Sequence, residues 1–235
     1  MAQHLKLIAL LIFTLSASYT SAQSLRKLLE RPYCIIESKW EKDAQVDNPF
    51  KSASSYTFYR GKFPKDFNIQ TPYALPVKNN QKTAWKTDPR EPFKTLNFHI
   101  KQGDTIYATR SGIACKTTNP QQLLIYHPDQ TFAAYLVMNE NFIEPGEEVQ
   151  VGQAIGKAGP TGGAISFFFL DENKFKGGLS SGYPYSHFIP VFRTTEGDVK
   201  PEEKTIYQAV TDHDLIMQDM SKRDKKKYMK LHNLK

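Results

Sequence analysis

The sequence predicts a mainly β fold with antiparallel strands. After Gly103, apolar and polar residues alternate over short stretches, which is the pattern of strands with one buried face. Two apolar runs, 123–126 and 132–137, are separated by the turn-forming sequence His127–Gln130, which indicates a hairpin. Several glycines precede the apolar run 165–170, and glycine permits the tight corners that closely packed sheets need.

The segment before these strands is predicted to add two strands and an extended arm. Strands are expected at 33–36 and 56–59, after a short helix-like run at 25–29. Residues 63–83 are rich in Pro, Asn and Lys, and Tyr73–Val77 within them is predicted to be extended. We expect this arm to wrap against the sheet and to contribute aromatic side chains to the core.

Other elements are expected on both sides of the glycine-rich region. Residues 93–100 alternate in polarity and are predicted to form a strand. Residues 185–192 are predicted to form one final strand, and 205–209 a short strand or helix. Leu215–Met220 are expected to begin a helix of the C-terminal tail. Ser221 can also cap a helix start, because a serine hydroxyl can accept a backbone N–H there.

The N-terminus has the parts of a secretory signal peptide. Lys6 precedes the apolar run Leu7–Leu15, and small residues lead to a cleavage site after Ala22. The apolar run is too short to cross a bilayer as a stable helix. We therefore expect a periplasmic protein, soluble or peripherally attached. The expected division is a signal peptide at 1–22, N-terminal strands and a wrapping arm at 23–92, a β domain at 93–192, and a C-terminal extension with a basic tail at 193–235.

Four motifs follow one another in a specific order. Residues 103–112 fit the pattern Gly-Thr-x-Val-x-Ala-x-x-x-Gly at its glycines and alanine, and 133–136 align with Tyr-Ala-His-Leu. Residues 145–156 match the turn and strand that come next, and 166–168 align with a closing His-Leu-His. This order resembles the lysostaphin or LytM-type zinc endopeptidases, which cut peptide cross-bridges in bacterial cell walls. The resemblance implies an antiparallel β-sheet with a barrel-sandwich core.

On this alignment, the positions that would carry the chemistry of the family hold other residues. In chain order they are Phe93, Asn97, Tyr135, Ser166 and Phe168. Catalytic zinc needs about three protein ligands of N, O or S type and an open position for water. Phenylalanine has no lone pair, and neutral Asn, Ser and Tyr are poor zinc ligands. The resemblance therefore implies a degenerate, non-catalytic peptidase that holds neither metal nor another cofactor.

An alternative is that ligands have moved to other positions. The candidates are His99, His187, His213, Asp104 and Asp171. None of them shows the His-x-x-x-Asp or His-x-His spacing of the family. An active zinc endopeptidase with rearranged ligands thus stays open as a second hypothesis.

The resemblance also implies classes of function and partner. Relatives that have lost zinc ligands act as activators of cell-wall amidases or as parts of larger envelope complexes, so we expect a binding or scaffold role with an envelope protein as partner. A peptidoglycan-binding module is a further alternative. The aromatic residues at the old site are expected to form core, although Tyr135 and its neighbours could instead line a groove for a peptide, glycan or protein loop.

Positive charge is concentrated at the C-terminus. The chain carries a formal charge of +7, of which Lys6 contributes one and residues 221–235 contribute six, so residues 23–220 are neutral overall. The candidate contact residues are Lys222, Arg223, Lys225, Lys226, Lys227 and Lys230. Such a run is either a solvated tail or a contact for anionic lipid, wall polymer or an acidic partner. No nucleic-acid-binding motif is present, and we expect no nucleic-acid partner.

The chain has two cysteines, Cys34 and Cys115. An exported protein meets an oxidising compartment, where a pair of cysteines favours a disulfide. The alternative is two buried free thiols, since cysteine also behaves as a small apolar residue.

Overall fold

The computed structural model describes residues 33–37, 56–60, 64, 68–90, 94–115, 117, 119–171, 173–174, 185–200 and 202–234. The helix-like run expected at 25–29 and the signal peptide expected at 1–22 lie outside these residues. Within the described ranges, no helix combines the length and the apolar character that a membrane crossing requires.

The described chain is mainly β, as predicted. Its strands are β1 (Tyr33–Glu37), β2 (Tyr56–Arg60), β3 (Tyr73–Ala74), β4 (Lys82–Thr83), β5 (Trp85–Asp88), β6 (Thr95–Phe98), β7 (Thr105–Tyr107), β8 (Gly112–Cys115), β9 (Leu123–Tyr126), β10 (Thr131–Leu136), β11 (Met138–Asn141), β12 (Glu148–Val149), β13 (Ala154–Ala158), β14 (Gly163–Leu170), β15 (Tyr185–His187), β16 (Phe192–Thr194), β17 (Gly197–Val199) and β18 (Tyr207–Gln208). Two helices follow, α1 (His213–Met217) and α2 (Lys222–Leu231).

An antiparallel main sheet organises the fold. Its order is β12-β8-β9-β10-β14-β6-β5, and β15 pairs with the free length of β14. The hairpin predicted around 127–130 is confirmed, because β9 and β10 pair through Phe132 and Tyr126 next to the turn. β14, which is the longest of the described strands, lies between β10 and β6 and is buried along almost its whole length.

Smaller sheets surround the main sheet. β11, β13 and β7 form one antiparallel sheet, and β18 pairs with β4. β16 pairs antiparallel with β17 and parallel with β3, so the predicted arm contributes a strand to a sheet built with the C-terminal extension. The expectation that the arm wraps against the sheet is confirmed, since Tyr73, Leu75 and Val77 are all buried in the main core.

Side chains alternate between the two faces of the main sheet along each strand, and both faces carry apolar residues. One face carries Ala133 and Phe167 into the large core that also holds residues of the small sheet β11-β13-β7. The other face carries Phe132 and Phe168 into a second, smaller core with Cys115. A central strand buried on both faces accounts for the succession of aromatic residues in β14.

The predicted turn at 159–162 connects β13 of a small sheet to β14 of the main sheet. Gly159 and Gly162 form a bridge, and a side chain at Gly159 would lie 1.9 Å from the carbonyl oxygen of Val137. Gly162 has φ +78°, a left-handed conformation that residues with a side chain rarely adopt. Glycine is therefore required here by close backbone approach and by conformation.

The C-terminal part differs from the prediction in two places. The single strand expected at 185–192 is wrong: β15 pairs with β14, whereas β16 starts at Phe192 and joins another sheet. Pro190 lies between them and has no N–H for a strand ladder, so the chain can leave one sheet and enter the next. Residues 213–217 form a separate helix, and α2 starts at its predicted cap, where the Ser221 hydroxyl accepts the N–H of Asp224.

The predicted disulfide would join two strands that lie side by side. β1 carries Cys34 and lies beside β8, which carries Cys115. Cys115 is not a free thiol in the structure, and the chain has no cysteine other than these two.

We predict that Cys34→Ser and Cys115→Ser each lower the free energy of unfolding by about 4 kcal/mol, because the bridge would close a long loop of the unfolded chain. Urea unfolding without reductant measures this loss. The double variant should be no less stable than either single variant, since the second substitution has no bridge left to remove. Additive losses, or two thiols that react with a labelling reagent in denaturant before reduction, would contradict the bridge.

Candidate functional site

Tyr135 stands where the resemblance expects a catalytic histidine, and its hydroxyl is fully used inside the protein. The side chain is completely buried in β10. Its hydroxyl accepts the N–H of Thr109 at 2.9 Å and lies 2.9 Å from Thr109 Oγ1. Burial raises the pKa of this phenol to about 12, although the hydrogen bonds from Thr109 act in the other direction. Tyr135 is therefore a neutral structural group.

The strand register decides which residues share a face with Tyr135. Tyr135 pairs with Ile165, and Ala133 pairs with Phe167. Directly paired residues of antiparallel strands point to the same face. The face of the main sheet that carries Tyr135 is here called the Tyr135 face. Its nearest residues on β14 are Ile165 and Phe167.

The other aligned positions of β14 and β6 lie on the opposite face. Ala164 pairs with Asn97, and Ser166 and Phe168 follow on the same side of β14. Phe168 stacks on Phe132 with ring centroids 5.1 Å apart, and the Asn97 carboxamide accepts a hydrogen bond from the neighbouring Thr95. Phe168 and Tyr135, which the alignment assigns to one site, therefore lie on opposite faces of the sheet. Phe93 lies outside the described residues.

The alignment of β14 with the family motif is thus displaced by one residue, and nothing in the sequence indicated this. Both faces of β14 are apolar, so moving the alignment by one position exchanges one set of apolar residues for another. Ile165 and Phe167 are the positions that sequence reasoning missed. Like Phe168, neither of them can coordinate a metal ion.

Other parts of the chain fill the Tyr135 face. Tyr73 of the arm packs edge-on against Phe167 with ring centroids 5.6 Å apart. Phe188 and Phe192, which follow β15, contact the same Phe167 ring at 6.2 and 6.0 Å. The rings adopt the edge-to-face arrangement that stabilises aromatic clusters. An aromatic cluster therefore packs on the side of the sheet that carries Tyr135.

The residues at the aligned positions do not fit a zinc ion. On the Tyr135 face they are an engaged phenol and hydrocarbon side chains, and on the opposite face the buried Ser166 hydroxyl has no hydrogen-bond partner and lies in an apolar strand. Among the residues that the structure describes, no three His, Cys, Asp or Glu side chains lie close enough to hold a metal. The structure thus does not gather the five alternative candidates into one site.

Three of those candidates have other local roles. His187 pairs with Phe168 in the main sheet, and the Asp171 carboxylate accepts a hydrogen bond from the Ser186 hydroxyl at 2.8 Å. His213 lies 2.9 Å from the Tyr228 hydroxyl, at the junction of the two helices. His99 and Asp104 are exposed on the surface.

Comparison with known proteins places the β domain in a family. The model of peptidase family M23 matches residues 91–169. The chain contains an M23 domain. The match lies almost wholly within the expected domain at 93–192, and it relates this region to the LytM-type peptidases. No curated protein matches the chain.

A buried ionic cluster next to the M23 domain's Tyr135 face was not foreseen from the sequence. Arg110 is 3% exposed and forms two hydrogen bonds of 2.8 Å to the carboxylate of Asp219. It also pairs with Asp129 of the β9–β10 turn, and its guanidinium lies 5.0 Å from the centre of the Tyr73 ring. Burial opposes the charge of Arg110, but the hydrogen bond to Asp219 and the other partners hold its pKa above the ordinary value.

Hydroxyl groups connect this cluster to the sheet. The Tyr73 hydroxyl lies 2.7 Å from Thr131 Oγ1, and the Thr131 hydroxyl donates to Asp129 at 2.7 Å. Thr131 is fully buried at the start of β10. The arm, the hairpin and the C-terminal extension are thus joined by one connected set of polar contacts, here called the Arg110 cluster, which consists of Tyr73, Arg110, Asp129, Thr131 and Asp219.

His127 borders the Arg110 cluster as a buried neutral imidazole. Its Nδ1 lies 2.8 Å from the carbonyl oxygen of Ser111, so Nδ1 carries the proton and donates it. Nε2 is buried without a hydrogen-bond partner, and the ring packs edge-on against Tyr73 at 5.8 Å. Burial lowers the pKa of His127 to about 4.

The predicted contact residues of the tail lie on the surface. Lys222, Arg223, Lys226, Lys227 and Lys230 are all exposed on α2, whereas Lys225 is half-buried. The sequence indicated the helix and its cap, but only the structure shows which of its sides is free.

We predict that Asp219→Asn lowers the free energy of unfolding by about 2–3 kcal/mol, because it leaves a buried guanidinium with one carboxylate instead of two. Urea unfolding measures this loss. Asp198→Asn is the matched control, since Arg193 also pairs with two carboxylates, those of Asp198 and Asp212, but at a more exposed place. The control should cost less than about 1 kcal/mol. Equal losses in the two variants would contradict a special role for burial.

We predict that His127 makes the protein less stable in mild acid. The native pKa of about 4 lies below the ordinary 6.5, so the unfolded chain takes up the proton first as the pH falls. Stability from this group is complete above about pH 6.5 and is lost toward about pH 4, with a loss of about 2 kcal/mol by pH 5.

Urea unfolding at pH 7.5 and pH 5 measures this difference. His127→Asn is the control, because an asparagine amide can replace the Nδ1 donor without titrating. The variant should lose about 2 kcal/mol less than the native protein between the two pH values. The same loss in both proteins would assign the pH dependence to other groups.

Proposed function

We propose that this chain is a non-catalytic M23 protein, exported to the periplasm, that serves as a binding or scaffold component of the bacterial cell envelope. The observation that carries the proposal is the packing of the Tyr135 face, where Tyr73, Phe188 and Phe192 stand on Phe167. Hydrolysis of a peptide bond needs a cavity that admits the substrate and the attacking water. An aromatic core supplies neither.

The chemistry of the aligned residues supports the same proposal. A zinc peptidase holds its metal with lone pairs that point into an open site. Here the Tyr135 hydroxyl is bonded to Thr109, and the nearest neighbours of Tyr135 on β14 are hydrocarbon. The resemblance to relatives that have lost zinc ligands favours a cell-wall amidase or a larger envelope complex as partner.

The filled face also bears on how a partner could bind. A peptide, glycan or protein loop cannot enter the Tyr135 face unless the arm and the segment 188–192 move away from it. Binding through the outer surface of the domain or through the extension needs no such rearrangement, and we favour it. A peptidoglycan-binding module is the second candidate, and sedimentation with insoluble wall sacculi distinguishes it from a protein that binds only protein partners.

We predict that the purified protein, without residues 1–22, holds far less than one zinc per chain and does not cleave cross-linked sacculi, because its side chains do not supply a ligand set. Elemental analysis and release of soluble wall fragments measure these two properties. An active LytM-type endopeptidase in parallel shows that the sacculi can be cut. Stoichiometric zinc together with cleavage that a chelator abolishes would instead establish the active enzyme with rearranged ligands.

A further inference from the structure

We infer that the outward face of α2 is a docking surface for a lipid bilayer that contains anionic headgroups. This inference goes beyond the proposed function, since an active or an inactive M23 domain could carry the same helix. It rests on the direction in which α2 presents its charges, on their chemical type and on the neutrality of the rest of the expected mature chain.

Five of the six basic residues of α2 form one continuous stripe, and Lys225 lies outside it. With 3.6 residues per turn, they occupy an arc of about 140° around the helix axis and extend over about 12 Å along it. The five residues of this basic face are Lys222, Arg223, Lys226, Lys227 and Lys230, and all of them are exposed. Tyr228 lies on the opposite side of the helix, because it is about 170° from the middle of the arc.

Contacts on that opposite side orient the basic face. The Tyr228 hydroxyl lies 2.9 Å from Nδ1 of His213 in α1, and the ring of Tyr228 packs on His232 with centroids 4.2 Å apart. His232 in turn lies 5.4 Å from His213. α2 thus contacts α1 with its Tyr228 side, and the basic face points away from that contact.

The body of the protein holds α1 firmly. Leu215 is buried against Ala74 of the arm and Val151 of the M23 domain. Directly after α1, Asp219 is bound by the buried Arg110. The basic face is therefore a surface with a set direction relative to the domain, in contrast to a freely moving charged tail.

The residue types favour a bilayer over a specific protein partner. Four of the five charges on the basic face are lysines, and lysine is a compact point charge that suits dispersed phosphates. Protein interfaces are instead depleted in lysine and enriched in arginine and aromatic residues at their centres. Leu231 is 77% exposed next to the basic face and adds an apolar side chain that can enter the interfacial layer.

The charge distribution favours an anionic surface. Residues 23–220 are neutral overall, and residues 221–235 carry a net charge of +6. The rest of the protein therefore does not repel an anionic surface that approaches the basic face. Each lysine or arginine close to an anionic bilayer raises the partition coefficient about fivefold. A stripe of this kind can hold the protein at a membrane without a spanning segment.

The test is co-sedimentation of the chain without residues 1–22, whose apolar run would itself bind lipid. The probes are vesicles of phosphatidylcholine with about one third phosphatidylglycerol, and vesicles of phosphatidylcholine alone. We expect binding only to the anionic vesicles and more than tenfold weaker binding when salt rises from about 50 to about 500 mM. Replacing Lys222, Lys226 and Lys230 by Gln should weaken binding about a hundredfold.

The matched control removes three charges from the body. Lys78, Lys82 and Lys86 are exposed, and their replacement by Gln changes the net charge by the same amount. Binding should stay within about threefold of the native protein, because these residues lie outside the basic face. Circular dichroism checks that the helices persist, as expected since glutamine is a good helix former.

Three results would overturn the inference. Equal weakening by the two triple variants would show that net charge alone drives adsorption. Equal binding to neutral and anionic vesicles would show that the basic face is not the contact. If anionic vesicles do not bind but wall sacculi do, and the α2 variant loses that binding, the occupant is wall polymer. Zinc content and hydrolysis are measured separately, so failure here leaves the proposed function standing.

Discussion

The buried charge of Arg110 is the constraint on which the arrangement of the outer segments depends. A guanidinium without water is costly, and it is stable in a protein only when carboxylates and other partners surround it. Here the partners come from three separate parts of the chain: Tyr73 from the arm, Asp129 from the β9–β10 turn and Asp219 from the C-terminal extension. Satisfying one cation therefore requires all three segments to be in place together.

The same constraint explains why the Tyr135 face is closed. Tyr73 contacts Arg110 with its ring, reaches Thr131 with its hydroxyl and stands edge-on to Phe167. The residue whose ring faces the cation is thus also the one that covers the sheet. The filling of this face follows from how the arm and the extension are bound.

The C-terminal extension connects the closed face to the surface of the protein. Asp219 lies between α1 and α2, so the contact that binds the extension to Arg110 also sets where α2 begins. The Ser221 cap then starts the helix, and Tyr228 directs its basic face outward. A domain that packs aromatic rings on its Tyr135 face can in this way present an oriented charged surface elsewhere.

Much of the β architecture was accessible from local pattern. Alternation and turn residues predicted the β9–β10 hairpin, the strands β1 and β2 and the extended arm, because these depend on neighbours in sequence. The strand expected at 185–192 was not accessible in the same way. Its apolar residues fit one strand or two, and the choice depended on which sheet edges were free to pair.

The candidate site was predictable in composition but not in geometry. Spacing alone aligned Tyr135 with a catalytic histidine of the family and placed Ser166 and Phe168 beside it, whereas the register puts Ile165 and Phe167 there. The sequence of a strand that is apolar on both faces does not indicate which residues point to which face. Only the pairing of β14 with β10 shows which residues lie beside Tyr135.

What the sequence determined by itself was local: the β character of the chain, the glycine turns, the helix cap, the concentration of charge at the tail and the side-chain types at the aligned motif positions. The Arg110 cluster, the closure of the Tyr135 face and the outward direction of the basic face were decided by tertiary structure alone. The physical reason is that each of them joins residues far apart in the chain, such as Arg110 and Asp219, and no local pattern encodes which distant partner will satisfy a buried charge.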